Sequence, residues 1–249
     1  MSVADQPKPA NPPQRGVFRT ADLPPEERNA AWNAIAGSFF DHVVPLEDKA
    51  MDGEIRADLL GDWATCRIRF NPHSYARRQA RSSDDGLDYY FIQLYCRGAL
   101  HGECAGRAVS LRPGDILILD VREALTLRAS AGEIITLIIP HADIDRLPAD
   151  LHGQVLLRER DSTRQLAAGF ESLEARLSGI GADEAPALQS SVRSMLIAAI
   201  DDALNEVDPP PRRRSSPAVP EPACKEVGDA PSSLQAIQAT LLGWSKRDD

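Results

Sequence analysis

Long apolar runs, aromatic side chains and paired cysteines are all scarce in this sequence. No stretch of ~18 apolar residues occurs, so no segment reads as a membrane-spanning helix. The opening MSVADQPKPANPPQRG lacks an apolar core, which argues against a secretory signal. The four cysteines, Cys66, Cys96, Cys104 and Cys224, form no CxxC pair. Scattered thiols without a signal read as reduced cysteines of a cytoplasmic protein. No HxH occurs, and the five histidines, His42, His73, His101, His141 and His152, lie far apart. A basic stripe on a long helix is also missing. The net charge is −9, and because residues 208–249 are neutral the whole of it falls on residues 1–207. An acidic surface without a local basic patch is repelled by DNA, so neither part reads as a nucleic-acid binder.

What is present is ordinary for a globular protein, 43% apolar and 26% charged, with 19 prolines and 16 glycines that point to tight turns and some unstructured tail. The length allows one core of roughly 150–200 residues plus tails. Residues 1–17 are Pro-rich and polar and read as a disordered tail. A helix follows Leu23-Pro24-Pro25, with Asp22 or Thr20 as its cap, a stripe of Trp32, Ile35, Ala36, Phe39 and Phe40, and its end at Pro45. From about residue 52 to 140 the period changes to two, giving six to eight short strands that include Ala64–Phe70, Tyr89–Cys96, Ile116–Leu119 and Ile134–Ile139. Strands at this spacing predict an antiparallel sandwich or barrel. Two amphipathic helices then start near Asp161 and Asp183, joined by Gly179-Ile180-Gly181 as a helical hairpin. Residues 208–249 form a Pro-rich linker or disordered tail, with one possible short helix at 234–244.

The stretch Gly106–Asp120, GRAVSLRPGDILILD, runs turn glycine, strand, Pro-Gly-Asp turn, apolar strand. It resembles the second segment of cupin-type β-barrels. Catalytic cupins hold a metal with histidines and a carboxylate, but here Ile116, Leu117, Ile118 and Leu119 fill the strand after the turn. No metal or other cofactor is expected. A more specific resemblance covers residues 18–207. FRTADLPPEERNAAWNAIAGSFF at 18–40, YYFIQLYCRGALHGECAGRAVSLRPGDILILD at 89–120 and ITLIIPHADIDRL at 135–147 resemble, in order and spacing, the sensor domain of a subgroup of AraC-type transcription regulators. His141 stands where that subgroup commonly has arginine. The resemblance implies an α+β, mainly β fold: a cupin-like antiparallel barrel of about eight strands, with an N-terminal helix and a C-terminal helical hairpin. It implies a small-molecule effector in the barrel and dimerisation through the hairpin, as a homodimer or as a heterodimer with a full-length regulator. The DNA-binding half of such regulators holds two helix-turn-helix units and needs about a hundred residues. Only 42 residues follow Val207, so a truncated or frameshifted regulator, or a stand-alone sensor, is expected. The alternative is a non-regulatory cupin enzyme or binding protein.

Candidate residues follow. Arg67, Arg69, Arg77, Arg78 and Arg81 cluster around one strand. Pointing inward they could hold an organic acid, with Arg78 favoured because the family often has an arginine near there; pointing outward they guard a solvated edge. Gln93 sits among apolar neighbours and, if buried, requires a partner that a ligand could supply. Tyr89, Tyr90 and Tyr95 could line a pocket with their polar tips inward; of these, Tyr89 and Tyr95 join Arg78 and Gln93 as expected ligand-binding residues. Cys96 and Cys104 would lie about 25 Å apart on nearly continuous strand, too far for a disulfide. The helix stripes Leu166, Phe170, Leu173, Leu177 and Leu188, Val192, Met195 are narrow enough for a partner helix to cover in a dimer, although packing on the barrel would cover them equally.

Overall fold

The computed structural model describes residues 14–37, 39–60, 62–78, 88–144, 150–177 and 184–205. The hairpin link at 179–181, Arg81, Cys224, the possible helix at 234–244 and most of the two tails lie outside them. The fold is α+β and mainly β, with twelve strands and three α-helices among the described residues. In chain order these are β1 (Gln14–Arg19), α1 (Pro25–Ala36), β2 (His42–Pro45), β3 (Gly53–Leu60), β4 (Trp63–Phe70), β5 (His73–Arg77), β6 (Tyr89–Arg97), β7 (Leu100–Cys104), β8 (Arg107–Leu111), β9 (Ile116–Asp120), β10 (Leu125–Ala129), β11 (Gly132–Pro140), β12 (Gln154–Leu156), α2 (Asp161–Leu177) and α3 (Ala185–Asn205). A seven-stranded sheet runs β1-β3-β4-β11-β6-β9-β12 and a five-stranded sheet runs β2-β5-β10-β7-β8. Every pairing is antiparallel. Among the described residues the barrel is therefore two sheets, whose ladders do not join into one closed ring.

Alternation along each strand divides two cores. On β6, Phe91 and Tyr95 point between the sheets while Ile92 and Leu94 point to the other face. On β11, Ile134 and Ile138 point inward and Ile135, Leu137 and Ile139 outward. The outward set packs under α2 and α3, which explains why β9 and β11 read as nearly unbroken apolar runs: both faces are covered. The helix stripes are used there. Leu166, Phe170, Leu173, Leu177, Leu188 and Val192 are all buried in this second core, and Met195 packs against it half-buried. These seven are thus not a free dimer seam. They pack in the core that α2 and α3 share with the outer face of the large sheet. Polar ties fix the hairpin to the sheet: Gln189 Nε2 donates to the Leu60 carbonyl at 2.9 Å, and Arg67 Nε donates to Glu174 Oε1 at 2.6 Å.

The turns follow their residue chemistry. Gly114 at φ +95° makes the Pro-Gly turn, and the buried Asp115 carboxylate accepts the backbone N–H groups of Arg112 (2.8 Å) and Arg158 (3.0 Å). Between Arg97 and Leu100 the chain leaves one sheet for the other at Gly98, φ +83°, where a Cβ would meet the Ala131 carbonyl oxygen at 2.5 Å. That change of sheet also separates Cys96 from Cys104, and both are free thiols.

The N-terminal region departs from expectation. β1 begins at Gln14, inside the stretch read as tail, and pairs with β3 from Gln14↔Leu59 to Arg19↔Glu54. Thr20 and Asp22 do not cap α1. Thr20 is buried and its hydroxyl accepts the Gly53 N–H at 2.8 Å, while the helix starts at Pro25 without a side-chain cap. The helix ends at Ala36, so Phe39 and Phe40 lie beyond it and His42–Pro45 is strand. Asn33 explains the early stop: its amide takes both backbone groups of Val43, accepting N–H at 2.8 Å and donating to the carbonyl at 2.9 Å.

Candidate functional site

Between the sheets lies a cavity of about 120 Å³. Its floor comes from the inward positions of the central strands. Register places Gln93 opposite Thr136, and Thr136 opposite Cys66, so amide, hydroxyl and thiol form one row across β6, β11 and β4. Apolar neighbours along the same strands, Ile68, Phe91, Ile134 and Ile138, surround that row. Tyr75 and His73 of β5 face it from the other sheet, and Trp32, Ile35, Phe39 and Phe40 close one end. Trp32 is seated against Gly53, where a Cβ would meet its ring at 2.5 Å.

The polar groups here are few and neutral. Gln93 is 5% exposed; its Nε2 donates to Thr136 Oγ1 at a long 3.5 Å, and its Oε1 accepts no hydrogen bond. The hydroxyls of Tyr75 and Tyr95 belong to the same cavity wall, and burial raises both above their ordinary value of 10.0. The His73 ring lies at 2.9 Å, through Nδ1, from the Asn71 carbonyl, which can only accept. Nδ1 therefore carries the proton and Nε2 is left as an acceptor. Burial lowers the His73 pKa, which favours this neutral form. The Cys66 thiol, pushed up to about 12 chiefly by burial, is inert.

Of the four expected ligand residues, the structure brings Gln93 and Tyr95 together in this cavity. Tyr89 is half-buried and packs on the inner core without lining the cavity. Arg78 is exposed just beyond β5, its backbone N–H donating to Asp41 Oδ2 at 2.8 Å. The buried guanidinium is Arg77, 1% exposed, which donates to the Glu123 carbonyl at 3.4 Å and lies 5.7 Å over the Phe40 ring. Arg67 and Arg69 face outward, paired with Glu133 and Glu174 and with Glu54. His73, Tyr75 and Thr136 were not singled out from the sequence. A threonine inside the run ITLII was the one available signal, of the same kind as the glutamine in YYFIQLYC.

Two other polar groupings are of a different character. An open groove of about 520 Å³ at one end of the large sheet is lined by Arg19, Glu54, Arg69, Arg97 and Glu133, charges that largely pair among themselves. Near the β9 end, Asp120 takes Arg122 Nη2 at 2.9 Å and His141 Nε2 at 3.4 Å, and His141 stacks on Tyr90 at 4.0 Å. Burial pushes the Asp120 carboxyl up, but the neighbouring His141 ring and the hydrogen bonds from Arg122 outweigh it and hold it well below its ordinary range. This is a clamp on strand ends with no nucleophile beside it. Among the described residues, no three His, Cys, Asp or Glu side chains are arranged to hold a metal ion, and no helix is long and apolar enough to cross a membrane.

The architecture is that of the crystal structure of the AraC-like transcriptional activator CuxR, with a TM-score of 0.69 and 24% identity over 81% of this chain and 73% of that one. An RmlC-like cupin from Shewanella frigidimarina NCIMB 400 aligns with 40% of this chain and 83% of its own (TM-score 0.29, 12% identity). KdgF from a Halomonas species aligns with 44% and 97% (TM-score 0.27, 20% identity). No curated protein matches the chain. The AraC-binding-like domain matches residues 31–218, starting within α1 and running past α3. With that match spanning well over half of the sequence, the chain belongs to the AraC-binding-like domain family.

Proposed function

We propose that this domain is the sensor of a transcription regulator and that a small effector binds between its two sheets. The observation that carries the reading is Gln93, a buried polar side chain with an unsatisfied acceptor, set in an otherwise apolar cavity at the centre of the domain. A buried acceptor without a partner costs about 1–3 kcal/mol, and a ligand that satisfies it recovers that cost. Family membership supports a regulatory role over a catalytic one. The neutral lining, which carries no metal-ligand cluster and no nucleophile paired with a base, is consistent with binding.

The signal is a population shift. Trp32, Phe39 and Phe40 both close the cavity and belong to the segment joining β1 to β2. An occupant therefore favours one packing of α1 over another. The output passes to DNA-binding machinery, through the sequence beyond α3 or through a second chain, as a homodimer or a heterodimer with an intact regulator.

A thermal-shift screen of small metabolites tests the reading, with a variant in which the cavity is partly filled, Cys66→Leu, as control. Some compound should raise the melting temperature of the native chain and lose that effect on the variant. No response to any compound, or an equal response from the filled variant, would count against an effector in this cavity.

A further inference from the structure

The cavity constrains its occupant more tightly than the word effector does, and this inference rests on the sensor reading above. Size comes first. A cavity of about 120 Å³ is of the same order as the apolar ~150 Å³ cavity that binds benzene, so it suits one small substituted ring. A sugar ring with its hydroxyls, a nucleotide or a fatty acyl chain is too large. Charge comes second. Among the described residues that line it, none is an acid, a lysine or an arginine; His73 is neutral, and the tyrosine hydroxyls keep their protons. A carboxylate or ammonium ion entering here would lose its hydration with no opposite charge in return.

Shape and polarity decide the rest. The walls are largely rings: Trp32, Phe39, Phe70, Phe91, Tyr75 and Tyr95. Several already meet edge to face, Phe39 with Phe91 and Phe40 with Tyr75, each at 4.8 Å between centroids. A flat aromatic ligand continues that arrangement. Within the walls Gln93 Oε1 accepts nothing, and His73 Nε2 is a second acceptor. The Tyr75 and Tyr95 hydroxyls line the same cavity and keep their protons, so this wall can donate as well as accept. The polar complement is thus a group that both donates and accepts, which is a hydroxyl.

We propose that the cavity binds a neutral, single-ring aromatic alcohol of the phenol class, its hydroxyl donating to Gln93 Oε1 and its ring held among the aromatic walls.

Calorimetric titration of the full chain reads this out with two isosteric probes, p-cresol and 4-fluorotoluene (same shape, no donor), and with the larger, charged 4-methylbenzoate. We expect p-cresol to bind about tenfold more tightly than 4-fluorotoluene, the value of one well-made hydrogen bond to a buried acceptor. 4-Methylbenzoate should not bind. At a hundredfold excess over its dissociation constant, p-cresol should raise the melting temperature by roughly 5–10 °C. In Gln93→Met, which keeps the volume and removes the acceptor, the preference for p-cresol should fall to within about twofold. Equal affinity of p-cresol and 4-fluorotoluene in the native chain would overturn the assignment, as would preference for the benzoate. These comparisons hold even if the variant fails to fold. If p-cresol does not bind while other compounds in the metabolite screen do, and do so through the cavity, the ligand class is wrong and the sensor reading stands. If nothing binds the cavity, both fall.

Discussion

At the scale of single residues, polar side chains buried beside turns tie separate segments of the chain together. Asp115 is the clearest. It is 5% exposed, and its two oxygens take the N–H groups of Arg112 and Arg158, joining the Pro-Gly turn to the segment that leads into α2. Asp115→Ala leaves both donors without a partner, and we expect a loss of about 2–4 kcal/mol in urea unfolding. A loss below about 0.5 kcal/mol would mean that solvent reaches these groups and the carboxylate is dispensable. Gln93 is the opposite case: its Oε1 is already unsatisfied, so Gln93→Met should leave stability unchanged or slightly raised while altering what binds. Residues of this second kind show their purpose only when the ligand is present, which is why stability alone would not find them.

At the scale of elements, the hairpin of α2 and α3 could be covered by a partner chain or by the sheet, and the structure gives it to the sheet. Leu166→Ala should therefore cost about 2–5 kcal/mol as a core truncation, with an unfolding midpoint independent of protein concentration. A midpoint that rises steeply with concentration would restore the stripe to a dimer interface, because association stabilises by mass action. The same hairpin shows what a sequence can reveal. Apolar spacing on Leu166, Phe170, Leu173 and Leu177 identifies the helix and its buried face, but a stripe does not say what covers it. The strands behave similarly. Tyr89–Arg97, Ile116–Asp120 and Gly132–Pro140 are legible because they are long and apolar, yet with both faces buried nothing distinguishes the cavity side except the lone Gln93 and Thr136. β1, β2 and β5 escape detection because their composition is mixed and they are held by ladders to distant strands, Gln14 to Leu59 and Val43 to Tyr75 for example. Arg77 and Arg78 illustrate the limit most sharply: adjacent arginines are equivalent in sequence, and only strand register decides which one is buried.

At the scale of the whole molecule, buried imidazoles make stability depend on pH. His42, His73 and His152 all have pKa values lowered from 6.5, in each case chiefly by burial. His152 shows the structural reason: it is 3% exposed, its Nδ1 accepts the Asp120 N–H at 3.1 Å and its Nε2 lies 3.0 Å from the Ala124 carbonyl. The ring is satisfied only as the neutral Nε2–H form, and a second proton would break the bond from Asp120. Between each folded-state value and 6.5 the unfolded chain holds more protons than the folded one, so stability rises with pH across that window. It is fully present above about pH 6.5–7 and is lost as pH falls below 6.5, by up to about 1.4 kcal/mol per pH unit for each imidazole that stays neutral in the fold. Asp120, held below its ordinary range, adds a second loss in stronger acid, as pH falls below 3.8. We therefore expect the urea midpoint to drop between pH 7.5 and 5.5, and the drop to be shallower in His152→Gln, whose amide can accept from Asp120 and donate to Ala124 without titrating. A midpoint that is flat or rising over that interval would mean that water reaches these rings and that the interior is more open than its packing implies.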